Sequence, residues 1–268
     1  MTTFAGTASN RGNRDGTGSS AWFGSPTGIS TDSAGNLYIA DAYTDTIRKI
    51  TSAGVVTTVA GTSTTRGDAD GTGAAALFNY PTGATVDSAG NIYVADAYND
   101  TIRKITPAGV VSTLAGSAGI SGAVDGTGIY GLFSQPVGVA VDASGNVYVA
   151  DTVNCTIRKV SPPGVVTTVA GIAGIAGLRD GAGTNALFNQ PRGVMLDGSG
   201  GLYVADTGNA AIRRVAADST VSTPTMTQPA AASTTTTTSS SGGGGAVDAW
   251  FVGLLALLGF MRWMARKN

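Results

Sequence analysis

The chain has no histidine, and its 17 acidic residues include no glutamate, so every carboxylate side chain is an aspartate. Without histidine there is no Ser–His–Asp or Cys–His arrangement and no His-bound zinc site. A single cysteine, Cys155, cannot close an internal disulfide, so the fold must stand on side-chain burial alone. Only 12% of residues are charged and the net charge is −1, which excludes the concentrated basic surface that nucleic acid requires. What is abundant is glycine, at 40 residues, together with Thr, Val and Asp. That composition predicts strands joined by tight turns.

Internal repetition dominates the sequence. Pro26, Pro81, Pro136 and Pro191 are 55 residues apart, as are Asp15, Asp70, Asp125 and Asp180, and Asp41, Asp96, Asp151 and Asp206. Four units therefore stand in register with no insertion between them. In the second, Gly83–Val86 reads as a short strand ending at Asp87. The run Asp87-Ser88-Ala89-Gly90-Asn91 then supplies a side-chain acceptor and a glycine for a hairpin turn. Ile92–Ala95, Thr101–Ile105 and Val110–Leu114 read as three further strands. Four short antiparallel strands per unit predict an all-β β-propeller of four 55-residue blades. Gly73–Phe78 reads as one helical turn burying Leu77 and Phe78. Phe23, Phe78, Phe133 and Phe188 recur at this point and read as plugs between neighbouring blades.

These motifs resemble the NHL repeat. The resemblance rests on Pro81-Thr82-Gly83, Asp87, Gly90-Asn91-Ile92-Tyr93-Val94-Ala95-Asp96, Asn99 and Ile102-Arg103-Lys104, and it runs through all four units, from about Thr2 to Val221. The fourth unit carries Gly201 for the Asn and Arg214 for the Lys. The resemblance implies a propeller, commonly six-bladed, that acts mostly as a binding platform. Amidating lyases that share the fold use a histidine-bound metal, and gluconolactonase-like propellers use a glutamate among their calcium ligands; this chain has neither residue. Met1–Gly6 matches Val56–Gly61, the outermost strand of a unit, so two outcomes are open. An N-terminal strand completes the last blade and closes a four-bladed ring, or the chain is a fragment of a larger ring with blades upstream.

The repeat domain spans residues 1–223, followed by a Thr/Ser/Gly-rich stalk at 224–245 and a short apolar segment at 246–268. The stalk is expected to be disordered, because it cannot bury enough apolar surface. Trp250–Met261, closed by Arg262, Arg266 and Lys267, is expected to form a short membrane-anchoring helix, with its basic end cytoplasmic and the propeller outside. The glycine run 242–245, the apolar segment and the basic end resemble the GlyGly-CTERM sorting signal of Gram-negative bacteria. That resemblance implies export, cleavage by a rhomboid-family protease, and display at the cell surface. Export needs a leader, and Met1 begins inside a strand pattern, which points to sequence upstream.

Candidate site residues lie in the loops. Asp41, Asp96, Asp151 and Asp206 end strands and are expected to cap backbone N–H groups and to pair with Arg48, Arg103, Arg158 and Arg213. The functional alternative is a ring of those arginines, or of Asn99, Asn154 and Asn209, around one channel mouth, with Tyr43 and Tyr98 placed to stack on a sugar. Asp68 and Asp70 alternate as calcium ligands do, though Asp–Gly turn chemistry also accounts for them. Otherwise no cofactor is expected. Cys155 stands where other units have Asp45, Asp100 and Ala210, and reads as drift at a tolerant loop position. The expected function is a non-enzymatic scaffold binding a protein or glycan through propeller loops. The alternatives are an Asp-dependent hydrolase or lyase at the channel mouth and a structural adhesion or spacer module.

Overall fold

Each 55-residue unit folds into one antiparallel sheet, and the computed structural model describes residues 2–63 and 65–224. The stalk beyond Pro224 and the C-terminal apolar segment lie outside the described residues. Blade 1 holds β1 (Gly16–Thr17), β2 (Pro26–Thr31), β3 (Leu37–Asp41), β4 (Thr46–Ile50) and β5 (Val55–Gly61). Blade 2 holds β6 (Gly71–Thr72), β7 (Pro81–Val86), β8 (Ile92–Asp96), β9 (Thr101–Ile105) and β10 (Val110–Ala115). Blade 3 holds β11 (Gly126–Thr127), β12 (Pro136–Val141), β13 (Val147–Asp151), β14 (Thr156–Val160) and β15 (Val165–Ala170). Blade 4 holds β16 (Gly181–Ala182), β17 (Pro191–Leu196), β18 (Leu202–Asp206), β19 (Ala211–Val215) and β20 (Thr220–Ser222).

The chain is thus an all-β, four-bladed propeller. Within blade 1 the strand order is β1-β5-β4-β3-β2, and the other blades repeat it. The two-residue outermost strand is one more than expected; a Gly-Thr or Gly-Ala pair is too short to show a propensity. The expected helical turn is a single 3-10 turn at Gly73–Ala75, after which Ala76 and Phe78 are buried.

Local chemistry explains the hairpins. Asp87 accepts the backbone N–H groups of Ala89 at 2.9 Å and Asn91 at 2.8 Å, together with the Asn91 amide and the Tyr93 hydroxyl. Gly90 turns the chain at φ 83°. In blade 4, which lacks the Asn, Arg214 donates to Asp197 at 2.7 Å in its place.

Successive blades stack through one repeated apolar layer. Tyr38, Ala40, Ile47 and Ala60 of blade 1 meet Phe78, Ala84, Ile92, Val94 and Ile105 of blade 2. The same positions meet between blades 2 and 3 and between blades 3 and 4. Phe78, Phe133 and Phe188 are fully buried there, as inter-blade plugs. The glycine of each Pro-x-Gly is where inner strands touch: a Cβ on Gly28, Gly83 or Gly138 would fall 2.4–2.6 Å from a carbonyl oxygen of the next blade.

The N-terminal segment does not complete blade 4, whose fourth strand β20 comes from its own unit. Ala5 instead joins the apolar cluster on blade 1, and Gly6 donates to the Gly18 carbonyl at 3.0 Å. The intramolecular closure is therefore not formed.

Candidate functional site

The strand-ending aspartates form a buried lock in each blade. In blade 2, Asp96 lies at the end of β8, without solvent exposure, and accepts the Asn79 N–H at 2.8 Å, the Asn99 amide at 2.7 Å and Arg103 Nη1 at 3.1 Å. Arg103 also donates to the carbonyls of Leu77 and Ala69, and Nη2 reaches Asp70 at 2.8 Å. Its guanidinium stands over the Phe78 ring, 5.2 Å from the centroid. Arg158 with Asp151 and Asp125, and Arg213 with Asp206 and Asp180, repeat the arrangement. Blade 1 is looser: Thr44 replaces the Asn, and Arg48 Nη1 stands 3.8 Å from Asp41.

This geometry corrects two readings. Arg48, Arg103, Arg158 and Arg213 are all fully buried and line no channel mouth. Asn99, Asn154 and Asn209 spend their amides on the lock and on the carbonyls of Gly67, Gly122 and Gly177. As for calcium, Asp70 is committed to Arg103 and the Thr113 hydroxyl, while Asp68 stands exposed. Among the described residues no group of three His, Cys, Asp or Glu could hold a metal ion. The lock role of Asp15, Asp70, Asp125 and Asp180 was legible only as a constant 33-residue spacing to the arginine.

A second set of aspartates ties neighbouring blades together. Asp45 accepts the Tyr80 N–H of the next blade at 2.7 Å and Arg66 Nε at 2.9 Å. Asp100 accepts the Gln135 N–H at 2.7 Å and the Ser121 hydroxyl at 2.6 Å. Both ends of each tether have left-handed backbone: φ is 52° and 55° at Asp45 and Tyr80, and 56° and 47° at Asp100 and Gln135. Cys155 occupies the third such position, buried and at φ 56°. It stands at the tether position without a carboxylate, as Ala210 does in the fourth blade. Near Cys155, Thr152 donates to the Pro191 carbonyl at 2.7 Å, a different link to the next blade.

The exposed chemistry collects beside these tethers. Tyr43 and Tyr98, each following the buried end of a second strand, are more than half exposed. Tyr98 stacks on Tyr80 with 4.7 Å between centroids. An open hollow of about 350 Å³ lies between Tyr98, Asn79, Asp100, Ser121, Ser134 and Gln135. A matching one, about 320 Å³, lies one blade back between Tyr43, Asp45, Ser63, Thr65 and Arg66. Backbone strain gathered around exposed aromatics and polar hollows marks this loop face as the candidate site.

Fold and repeat together define a small propeller with a loop-borne surface. The NHL repeat family matches residues 78–105, 133–160 and 188–214, which fall in blades 2, 3 and 4. Three of the four blades thus carry a match to the NHL repeat. It is 41% identical over 95 residues to Protein SUPPRESSOR OF QUENCHING 1, chloroplastic, of Arabidopsis thaliana, a match covering 35% of this chain and 9% of that protein. It is 34% identical over 149 residues to NHL repeat-containing protein 2 of Bos taurus, covering 51% of this chain and 20% of that protein. The chain thus spans a fifth or less of the length of these relatives. Among solved structures, an auxiliary nutrient binding protein from Bacteroides thetaiotaomicron superposes with TM-score 0.57 at 19% identity, over 73% of this chain and 48% of that one. Virginiamycin B lyase from Staphylococcus aureus superposes with TM-score 0.52 at 14% identity, over 76% and 57%. Both likenesses are of fold.

Proposed function

We propose that this chain is a non-catalytic binding scaffold that takes a protein or glycan on the loop face of blades 1 and 2. The observation that carries this reading is the pair of exposed tyrosines, Tyr43 and Tyr98, each beside a polar hollow at the same place in successive blades. Aromatic faces next to fixed polar groups suit sugar rings and protein loops alike. The aspartates nearby serve as tethers and locks, fully engaged with N–H groups and arginines, which favours a scaffold over a hydrolase or lyase. The similar solved structure described as an auxiliary nutrient binding protein supports a binding role through its fold alone. Display outside the cell, with the tail as anchor or sorting signal, belongs to the same proposal and rests on the composition of residues 225–268. Protease treatment of intact host cells would then release propeller peptides.

The test is a binding screen of the full chain against a glycan array and the host's extracellular proteins, repeated with Tyr43→Ala and Tyr98→Ala. Each substitution should weaken binding about tenfold or more, as loss of an aromatic anchor does. Binding that neither substitution changes would sink the reading.

A further inference from the structure

The tether between blades 1 and 2 is closed by a larger group than it needs. Asp45 accepts the Tyr80 N–H with one oxygen and Arg66 Nε, at 2.9 Å, with the other. Between blades 2 and 3 the second bond comes from Ser121, 55 residues after Arg66, whose hydroxyl donates to Asp100 at 2.6 Å. One hydroxyl therefore suffices. In the next repeat, where Cys155 offers no carboxylate, the donor position holds Ala176. An arginine carries five N–H donors, and Asp45 accepts from Nε alone. Among the described residues Asp45 is the one hydrogen-bond and ion-pair partner of this guanidinium. Its Nη edge is left over, on a side chain 54% exposed that rests on a carboxylate only 5% exposed.

Both exposed tyrosines lie near that edge. Tyr43 lines the same hollow as Arg66 and Asp45. Tyr80, held to Asp45 by its N–H, lays its ring on Tyr98 with 4.7 Å between centroids and 14° between planes. Tyr80 thus covers one face of Tyr98, and Tyr98 still remains 52% exposed. The Asp45 hydrogen bond raises the Arg66 pKa most, and Tyr43 and Tyr98 both add to it, which puts the two rings within electrostatic reach of one guanidinium. At the place of these tyrosines the third and fourth repeats carry Val153 and Gly208. The aromatic pair and the surplus cation coincide at a single junction between blades.

We infer that the ligand of this loop face is an acidic sugar, its ring against the exposed tyrosines and its carboxylate on the Nη edge of Arg66. The inference rests on the binding reading above and adds the charge of what is bound. A planar guanidinium presents parallel N–H groups that match the two oxygens of a carboxylate, which an ammonium cannot do. Asp45 is the positioning residue: by holding Nε it fixes the plane of the fork, so less side-chain freedom is lost when the ligand arrives. The aromatic faces supply the apolar contact for the ring. An acidic peptide would bring the carboxylate without the ring, and a neutral sugar the ring without the carboxylate.

The experiment titrates the full chain by calorimetry with an oligogalacturonate, its neutral methyl ester and a poly-glutamate peptide. The oligogalacturonate should bind about tenfold or more tightly than the other two. Arg66→Ser copies the Ser121 tether, so thermal unfolding should stay near that of the parent while affinity for the acid falls about 10- to 100-fold. Affinity for the ester should not change. Arg66→Lys keeps the charge without the planar fork and should fall between parent and Arg66→Ser. Added salt should weaken binding of the acid to the parent more than to Arg66→Ser. No binding of the oligogalacturonate, an ester or peptide bound as tightly, or an Arg66→Ser variant that binds the acid like the parent overturns the inference. The binding reading survives any of these results if some ligand is still weakened by Tyr43→Ala or Tyr98→Ala, and falls with the inference if none is.

Discussion

Arg103 is a cation without solvent, and half of what it holds is backbone. Its two Nη groups reach the carbonyls of Leu77 and Ala69 besides Asp96 and Asp70, so one side chain fixes the path into the blade and the end of its second strand. Arg103→Ala takes the counter-ion from buried Asp96 and the donor from the Leu77 and Ala69 carbonyls, and should cost about 3–5 kcal/mol in urea unfolding. Asp100→Ala removes the acceptor of the Gln135 N–H between blades and should cost about 1.5–3 kcal/mol. The sequence shows the Asp–Arg partnership through strand ends and spacing. It hides the tethers, because Asp45 and Asp100 look like loop polar residues until their partners, 35 positions on in the next blade, are known. For the same reason the tether position of Cys155 does not show. The exposed tyrosines were legible as candidates, while burial of the arginines was not: an arginine in a strand carries no mark of whether its guanidinium reaches water or a ring of carbonyls.

The Pro-x-Gly that opens each inner strand is an element-level constraint. Gly83→Ala would drive a Cβ to 2.4 Å from the Val137 carbonyl, and Gly138→Ala to 2.4 Å from the Arg192 carbonyl. Each should cost about 1–3 kcal/mol, the usual price of forcing extra volume into a filled contact. At Gly193 the nearest atom is the Ala205 Cβ of the same blade, at 3.3 Å. Gly193→Ala should therefore leave thermal unfolding of the single chain nearly unchanged, and a comparison of the three melting curves checks the contrast. The four main strands were readable from their β-branched runs and Asp–Gly turns. The short outermost strand was not, since its position is set by the fourth strand that it pairs with.

At the scale of the whole molecule the many aspartates pull stability in opposite directions with pH. Burial pushes Asp96 up to about 7 and Asp151 up to about 6, against the lowering pull of their N–H and arginine partners. An unfolded aspartate titrates near about 3.9, so between these limits the folded state binds protons that the unfolded chain does not. Stability then falls as pH rises through that window. Asp15, Asp125 and Asp180 work the other way. Partial burial raises them, but the N–H and hydroxyl of Thr58, Thr168 and Thr223 and the lock arginines hold them low overall. Their contribution is present above the unfolded value and is lost as pH drops below it. Melting temperature should be higher at about pH 5 than at about pH 8, and should fall again below about pH 3.5. Asp96→Asn should flatten the upper slope, and an unchanged slope would contradict the assignment.

All five strands of a blade come from one uninterrupted period, and among the described residues no strand is lent to the neighbour. The gene for such a molecule can gain or lose a period in frame without orphaning a strand. Unequal crossing-over between near-identical segments, ruinous to most folds, here edits the count of blades and leaves each survivor intact. Only the two end surfaces register the change, because any period can follow any other.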